Sequence, residues 1–132
     1  MKAIASYKEQ TYALTRIVAG FLFACHGAQK LFGVFGGADG AGGTAPMMGQ
    51  MWFGGVIELV GGLAIMLGIF TGWAAFIASG TMAVGYFQFH QGRGALPIQN
   101  GGELAAVYAF LFLYIVARGS GIWSLGSKFG KS

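Results

Sequence analysis

Five ionisable side chains stand inside or beside apolar stretches of this chain: His26, Lys30, Glu58, His90 and Glu103. Histidine titrates near neutral pH, and a carboxylate beside it can trade a proton with it, so the set has the makings of proton-transfer chemistry. His26 and Lys30 are one turn apart and share a helix face. Glu58 is the deepest acid of its segment, with Gly54, Gly55, Gly61 and Gly62 leaving room beside it. Such a carboxylate must pair with Lys30 or His26, be neutralised by desolvation, or border a wet cavity. Two histidines and two carboxylates could ligate iron, copper or zinc. Their spacing gives no recognisable metal site, and none is assigned. Haem held between His26 and His90 is the weaker cofactor reading, because the two lie at different depths. HExxH, GxSxG and GxxxxGK[ST] patterns are absent, and the glycines of 33–43 follow a helix rather than a strand, which fits a loop better than a phosphate cradle.

The elements that must position these groups are four apolar helices, expected over 12–32, 50–70, 72–90 and 103–118 in one domain spanning 1–132. The first is long enough to cross about 30 Å of hydrocarbon. The apolar run 104–117 of the last is short for a crossing, and Trp123 is a flanking aromatic that could complete it. Gly33 to Gly49 read as a glycine-rich loop, Thr71 as an N-cap, and Gln91 to Gly102 as a polar loop. If the helices alternate in direction, His26, Lys30, Glu58, His90 and Glu103 all fall toward one side of the bundle. Gln29, Tyr86, Gln88 and Asn100 add hydrogen-bonding capacity at similar depth.

The chain's 132 residues are 55% hydrophobic and 9% charged, whereas a soluble domain carries about a quarter of its residues as charges. A soluble fold would be covered by one apolar patch, so the reading is an all-α integral membrane four-helix bundle. Six of the eight basic residues lie near the ends: Lys2, Lys8, Arg16, Arg118, Lys128 and Lys131. Short basic flanks stay in the cytoplasm, which places both termini inside and requires an even number of crossings. Nucleic acid is not an expected partner, since no basic stripe with interleaved aromatics exists. Cys25 alone makes neither a disulfide nor a CxxC unit. The stretch Leu22-Phe23-Ala24-Cys25 is a poor lipoprotein cleavage site, because Phe23 is large and the apolar run continues past it.

Each polar residue also has a structural reading. Asn100 and Glu103 sit close to a capping-box spacing, His90 suits a wet interface, Lys30 can snorkel to the head groups, and His26 can bond a backbone carbonyl. Small residues recur every four positions, as Gly20-Ala24-Ala28, Ala64-Gly68-Gly72, Ala75-Ser79-Ala83 and Ala105-Ala109-Ala117, which lets helix backbones approach closely. His26 lies about 160° around its helix from Ala24 and Ala28, so one of the two faces is expected to meet a second protomer or a partner subunit.

Four motifs in order carry a resemblance: His26-Gly27-Ala28-Gln29-Lys30-Leu31-Phe32-Gly33, Glu58-Leu59-Val60-Gly61-Gly62, Asn100-Gly101-Gly102-Glu103-Leu104 and Gly121-Ile122-Trp123-Ser124-Leu125. From Arg16 to Leu125 the chain resembles the DoxX family of small bacterial and archaeal membrane proteins. The resemblance implies a four-helix bundle in the bacterial inner (plasma) membrane, linked to quinone-coupled oxidoreduction as a subunit or accessory of a redox complex. Under it, His26, Lys30 and Glu58 are the expected catalytic set, and the same three with His90 and Glu103 the expected cofactor-binding set for a quinone. Electrons would come from a partner redox protein or a bound cofactor. The bilayer and a second copy of the chain are the other expected partners. The competing reading is a non-enzymatic scaffold or a small-solute transport subunit.

Overall fold

The computed structural model describes residues 1–128; Lys131, counted above with the basic carboxyl end, lies outside them. Among the described residues the chain is helical, without strands. A short turn, α1 (Lys2–Ala5), precedes the long α2 (Lys8–Phe32), then α3 (Gln50–Leu67) and α4 (Thr71–Gly85). A π-helical turn (Tyr86–His90) and a 3-10 turn (Gln91–Arg93) lead to α5 (Pro97–Asn100), α6 (Glu103–Arg118) and α7 (Leu125–Lys128). By length and composition, α3 is the one described helix that qualifies as long and apolar enough to cross a membrane.

The expected boundaries shift in physically interpretable ways. The first bundle helix starts at Lys8, four residues before the apolar run, because polar residues extend a helix beyond the segment it buries. The second stops at Leu67 rather than 70. There Gly68 takes φ 74°, its N–H meets the Ile65 carbonyl, and the Ile69 N–H returns to the Ala64 carbonyl. This is a Schellman closure, which favours glycine because a left-handed residue without a Cβ is unstrained. Thr71 is not an N-cap: Phe70 holds that position, and the buried Thr71 hydroxyl is 2.8 Å from that of Ser120.

Two helix pairs build the bundle. α2 and α3 make the most extensive contact, α4 and α6 the next, and α3 meets α4 over a smaller area. The first pair is a glycine seam. A Cβ added at Gly20 would lie 2.4 Å from the Met66 nitrogen, at Gly27 2.3 Å from the Leu59 nitrogen, and at Gly62 2.4 Å from the Ala24 nitrogen. The contact face of α3 is therefore Gly55 and Gly62, not the stripe through Ala64, Gly68 and Gly72. In the second pair the Ser79 hydroxyl donates to the Ala109 carbonyl at 2.7 Å, with Ala75 and Ala78 fully buried.

Aromatic side chains fill the space between the pairs. Phe23 of α2 packs on Tyr108 and Phe112 of α6, with ring centroids 5.5 and 4.8 Å away. α2 thus uses two faces within one chain, glycine toward α3 and aromatic toward α6, and neither face requires a second protomer.

The two ends of the bundle are built differently. At the end holding the termini, Arg16 is fully buried. Its Nη1 donates to the Ile65 and Met66 carbonyls at 2.8 and 2.9 Å, and its Nη2 to those of Ile122 and Trp123 at 3.1 and 2.9 Å. Arg16 is therefore not a topological flank charge. It is a clasp that satisfies carbonyls at the end of α3, where a cation also complements the helix dipole. At the other end the 33–49 loop is tied down by Ala45 N–H on the Lys30 carbonyl at 2.7 Å. Backbone N–H groups of Ala41 and Gly43 hold the Asp39 carboxyl below its ordinary pKa.

Candidate functional site

Away from the Arg16 clasp the helix pairs separate around a cavity of about 840 Å³, within the roughly 300–1,000 Å³ usual for ligand sites. Its apolar walls include Phe23, Ile57, Ile77, Met82 and Tyr108, and its polar groups include His26, Lys30, Glu58, His90 and Arg93. The α3–α4 side is open partly because Gly54, Gly80 and Gly85 border it, and a Cβ at any of the three would meet open space.

Glu58 and Lys30 form the chemical centre. Gly55 makes this possible: a Cβ there would come within 3.1 Å of the Lys30 Cβ, so its absence lets the lysine stem cross α3. The ammonium reaches Glu58 Oε1 at 2.6 Å. Glu58 is 3% exposed and its Oε2 has no hydrogen-bond partner, whereas the Lys30 side chain keeps 26% exposure. One carboxylate oxygen is therefore paired, and the other, itself buried, remains an acceptor without a hydrogen-bond partner among the described residues, an arrangement that is costly in a low-dielectric site.

His26 lies on the same wall, its ring edge-on to Tyr108 with centroids 6.4 Å apart. The Glu58 partner is Lys30, and His26 is grouped with the pair through the shared cavity. His90 ends the π-helical turn and lines the cavity, with Nδ1 3.2 Å from the Asn100 carbonyl oxygen. Asn100 is 2% exposed; its amide donates to the Tyr86 hydroxyl at 3.0 Å and the Gly94 carbonyl at 3.2 Å, and its Oδ1 accepts from Gly102 N–H at 2.8 Å. Asn100 thus organises the loop that supports His90.

Glu103 is not brought to this cavity. It is exposed and borders a shallow neighbouring depression with Pro97, Ile98 and Val107. Glu103 and Tyr108 are five residues apart, about 140° around the helix, and Tyr108 faces inward. Gln29 also leaves the set, since its amide donates to the Phe35 carbonyl at 3.0 Å. Two contributors escaped the sequence reading: Arg93, which lines the cavity, and Gln50, whose amide donates to the Gln88 side-chain oxygen across the opening. Both lie in segments that read as loop or helix start, where nothing marks which way a side chain turns.

The arrangement can hold an amphiphile with its apolar part against Ile57, Ile77 and Met82 and its polar head toward Lys30, Glu58 and His26. The family model described as DoxX matches residues 12–91, a span containing His26, Lys30, Glu58 and His90 of the cavity but not Arg93 or Tyr108. An uncharacterized protein of Haemophilus influenzae is 42% identical over 137 residues, with 99% of each chain covered. No solved structure matches the chain.

Proposed function

The chain belongs to the DoxX family, and from that premise we propose that it is a multi-pass protein of the bacterial inner membrane whose cavity binds the head group of a membrane quinone in support of a redox complex. The observation that carries this reading is the Lys30–Glu58 pair, two residues that line the apolar cavity, in which the buried Glu58 keeps one carboxylate oxygen without a partner among the described residues. Intramembrane ionisable residues are functional candidates by default, and here the pair is joined to a space large enough for a ligand. Bound there, a quinone would supply two-electron, two-proton exchange with a partner redox protein.

The chain's own residues would bind, orient and handle protons. Lys30 fixes the charge of Glu58 at Oε1 and has further N–H groups for a ring oxygen. Glu58 Oε2 and the ring nitrogens of His26 are the atoms able to accept or hold a proton beside the head group. Phe23 and Tyr108 supply apolar wall beside the pair in the same cavity. The four-helix membrane bundle with both termini cytoplasmic belongs to the same reading.

The test is the quinone content of purified wild-type protein against Gly54→Leu and Glu58→Ala. Gly54 lies one turn from Glu58 on the same face of α3 and a side chain there meets open space, so Leu obstructs the cavity without a steric penalty to the helices. Quinone should co-purify with wild type and fall about tenfold or more in both variants, the change expected when about 1.4 kcal/mol of binding is removed. Quinone absent from wild type, under extraction conditions that retain it on a control quinone protein, would replace this reading with a scaffold or solute-transport subunit.

A further inference from the structure

The polarity of the centre limits what its ligand can present. Lys30 already occupies Glu58 Oε1. The remaining oxygen, Oε2, is buried on a residue that lines the cavity, has no partner among the described residues and, in the ionised carboxylate that Lys30 pairs, accepts rather than donates. A ligand carbonyl brought to Oε2 sets lone pairs against lone pairs, whereas a ligand hydroxyl supplies the missing proton and satisfies the acceptor. Resting on the quinone reading above, we propose that the cavity is selective for the reduced form, a lipid-phase hydroquinone whose phenolic O–H donates to Glu58 Oε2, over the oxidised, carbonyl-only form of the same ring.

Polar mismatch discriminates strongly in such places. A site built around a substrate hydroxyl rejects the analogue lacking it far more effectively than an apolar pocket rejects a missing methylene, because buried polar groups are left unpaired. Glu58→Gln gives a directional check. Lys30 still requires an acceptor, so the Gln oxygen stays at the Oε1 position and the amide nitrogen takes the place of Oε2. That exchanges an obligatory acceptor for a donor. The variant should lose the preference for the hydroxyl or reverse it toward the carbonyl.

The experiment is anaerobic titration of the full chain, purified in lipid nanodiscs, with tetramethyl-1,4-benzoquinone and with its hydroquinone. Wild type should bind the hydroquinone about tenfold or more tightly than the quinone, and Glu58→Gln should abolish or invert that ratio. Equal binding of the two by wild type, or tighter binding of the quinone, overturns the selectivity and leaves the quinone-site reading standing. A hydroquinone preference that survives in Glu58→Gln overturns the assignment to Oε2. Binding of neither form overturns the quinone-site reading itself. A pair without redox chemistry, 4-nonylphenol and its methyl ether, reads the same donor requirement on wild type alone. That arm holds even if Glu58→Gln fails to fold; equal affinity for phenol and ether counts against the proposal.

Discussion

Arg16 and Glu58 are the two buried charged residues of the described chain, and they solve the burial problem in opposite ways. Arg16 spreads its charge over four carbonyls and has no acid partner; Glu58 takes one lysine and leaves an oxygen open. The first arrangement is saturated apart from Nε and suits a clasp, while the second is unsaturated and suits a ligand. Replacing Arg16 by Met would take a donor from the carbonyls of Met66, Ile122 and Trp123 and from that of Ile65, which keeps only the Gly68 N–H, so Arg16→Met should destabilise the protein by about 3 kcal/mol or more. Arg16→Lys should fall in between, because an ammonium lacks the planar fork that reaches both pairs of carbonyls. Thermal unfolding in detergent measures this, and a melting temperature for Arg16→Met equal to wild type would remove the clasp from the account. Glu58 and Lys30 were legible in the sequence because an acid and a base in apolar runs must find each other or water. Arg16 was misread because basic residues near an amino end usually report topology. Its true partners include Ile122 and Trp123, more than a hundred residues away, and no local pattern marks that return of the chain.

At the scale of elements, backbone proximity decides which glycines matter. Gly61 and Gly62 are neighbours on α3 with the same intrinsic cost to a helix, about 1 kcal/mol each relative to Ala. A Cβ at Gly61 would lie 3.9 Å from the Ala74 oxygen, an ordinary contact, whereas one at Gly62 would lie 2.4 Å from the Ala24 nitrogen and 2.6 Å from the Gly20 oxygen. Both obstacles are backbone and cannot rotate away. Gly61→Ala should therefore be neutral or slightly stabilising, and Gly62→Ala should cost about 1–3 kcal/mol as the α2–α3 seam is forced apart. Melting curves of the two variants compare them directly; shifts of the same sign and size would mean that propensity rather than close approach governs the pair. The sequence carried the existence of this seam in its small-residue spacing, but not its phase. Ala64, Gly68 and Gly72 repeat as regularly as the residues in contact, and only the Schellman turn at Gly68 shows why that stripe cannot continue as helix. The π-helical turn at Tyr86–His90 was likewise invisible, since one added residue in a turn leaves the apolar pattern almost unchanged.

For the whole molecule, the all-α class followed from composition and apolar periodicity, while the division of labour between the two ends did not. The closed end gathers Arg16, Thr71, Ser120 and the basic residues Lys2, Lys8, Arg118 and Lys128; Arg118 pairs with Glu9 at 2.9 Å and lies 4.7 Å over the Tyr12 ring. The open end carries the cavity, with Lys30 and Arg93 offset by Glu58, by Glu103 and by Asp39 in the 33–49 loop. Under the membrane reading proposed above, that imbalance of basic charge predicts that the closed end faces the cytoplasm by the positive-inside rule and the cavity the outer half of the membrane. The orientation can be read with single cysteines in a Cys25→Ala background. Gly40→Cys, in the 33–49 loop where a Cβ meets open space, should react with a membrane-impermeant maleimide added to intact cells. Ser127→Cys, at the closed end, should react only after the cells are opened. The reverse pattern would turn the cavity toward the cytoplasm, and labelling of both sites from the same side would break the even number of crossings. The result matters for chemistry as well as topology. On the proposed reading, a proton held at Glu58 or on His26 would exchange through the open end, where Gln50, Gln88 and Arg93 line the cavity, because the aromatic layer of Phe23, Tyr108 and Phe112 packs between the helix pairs on the way to the clasp. A protein oriented as the basic charge predicts would therefore exchange those protons with the outer face, and any partner acting on the cavity would meet it there.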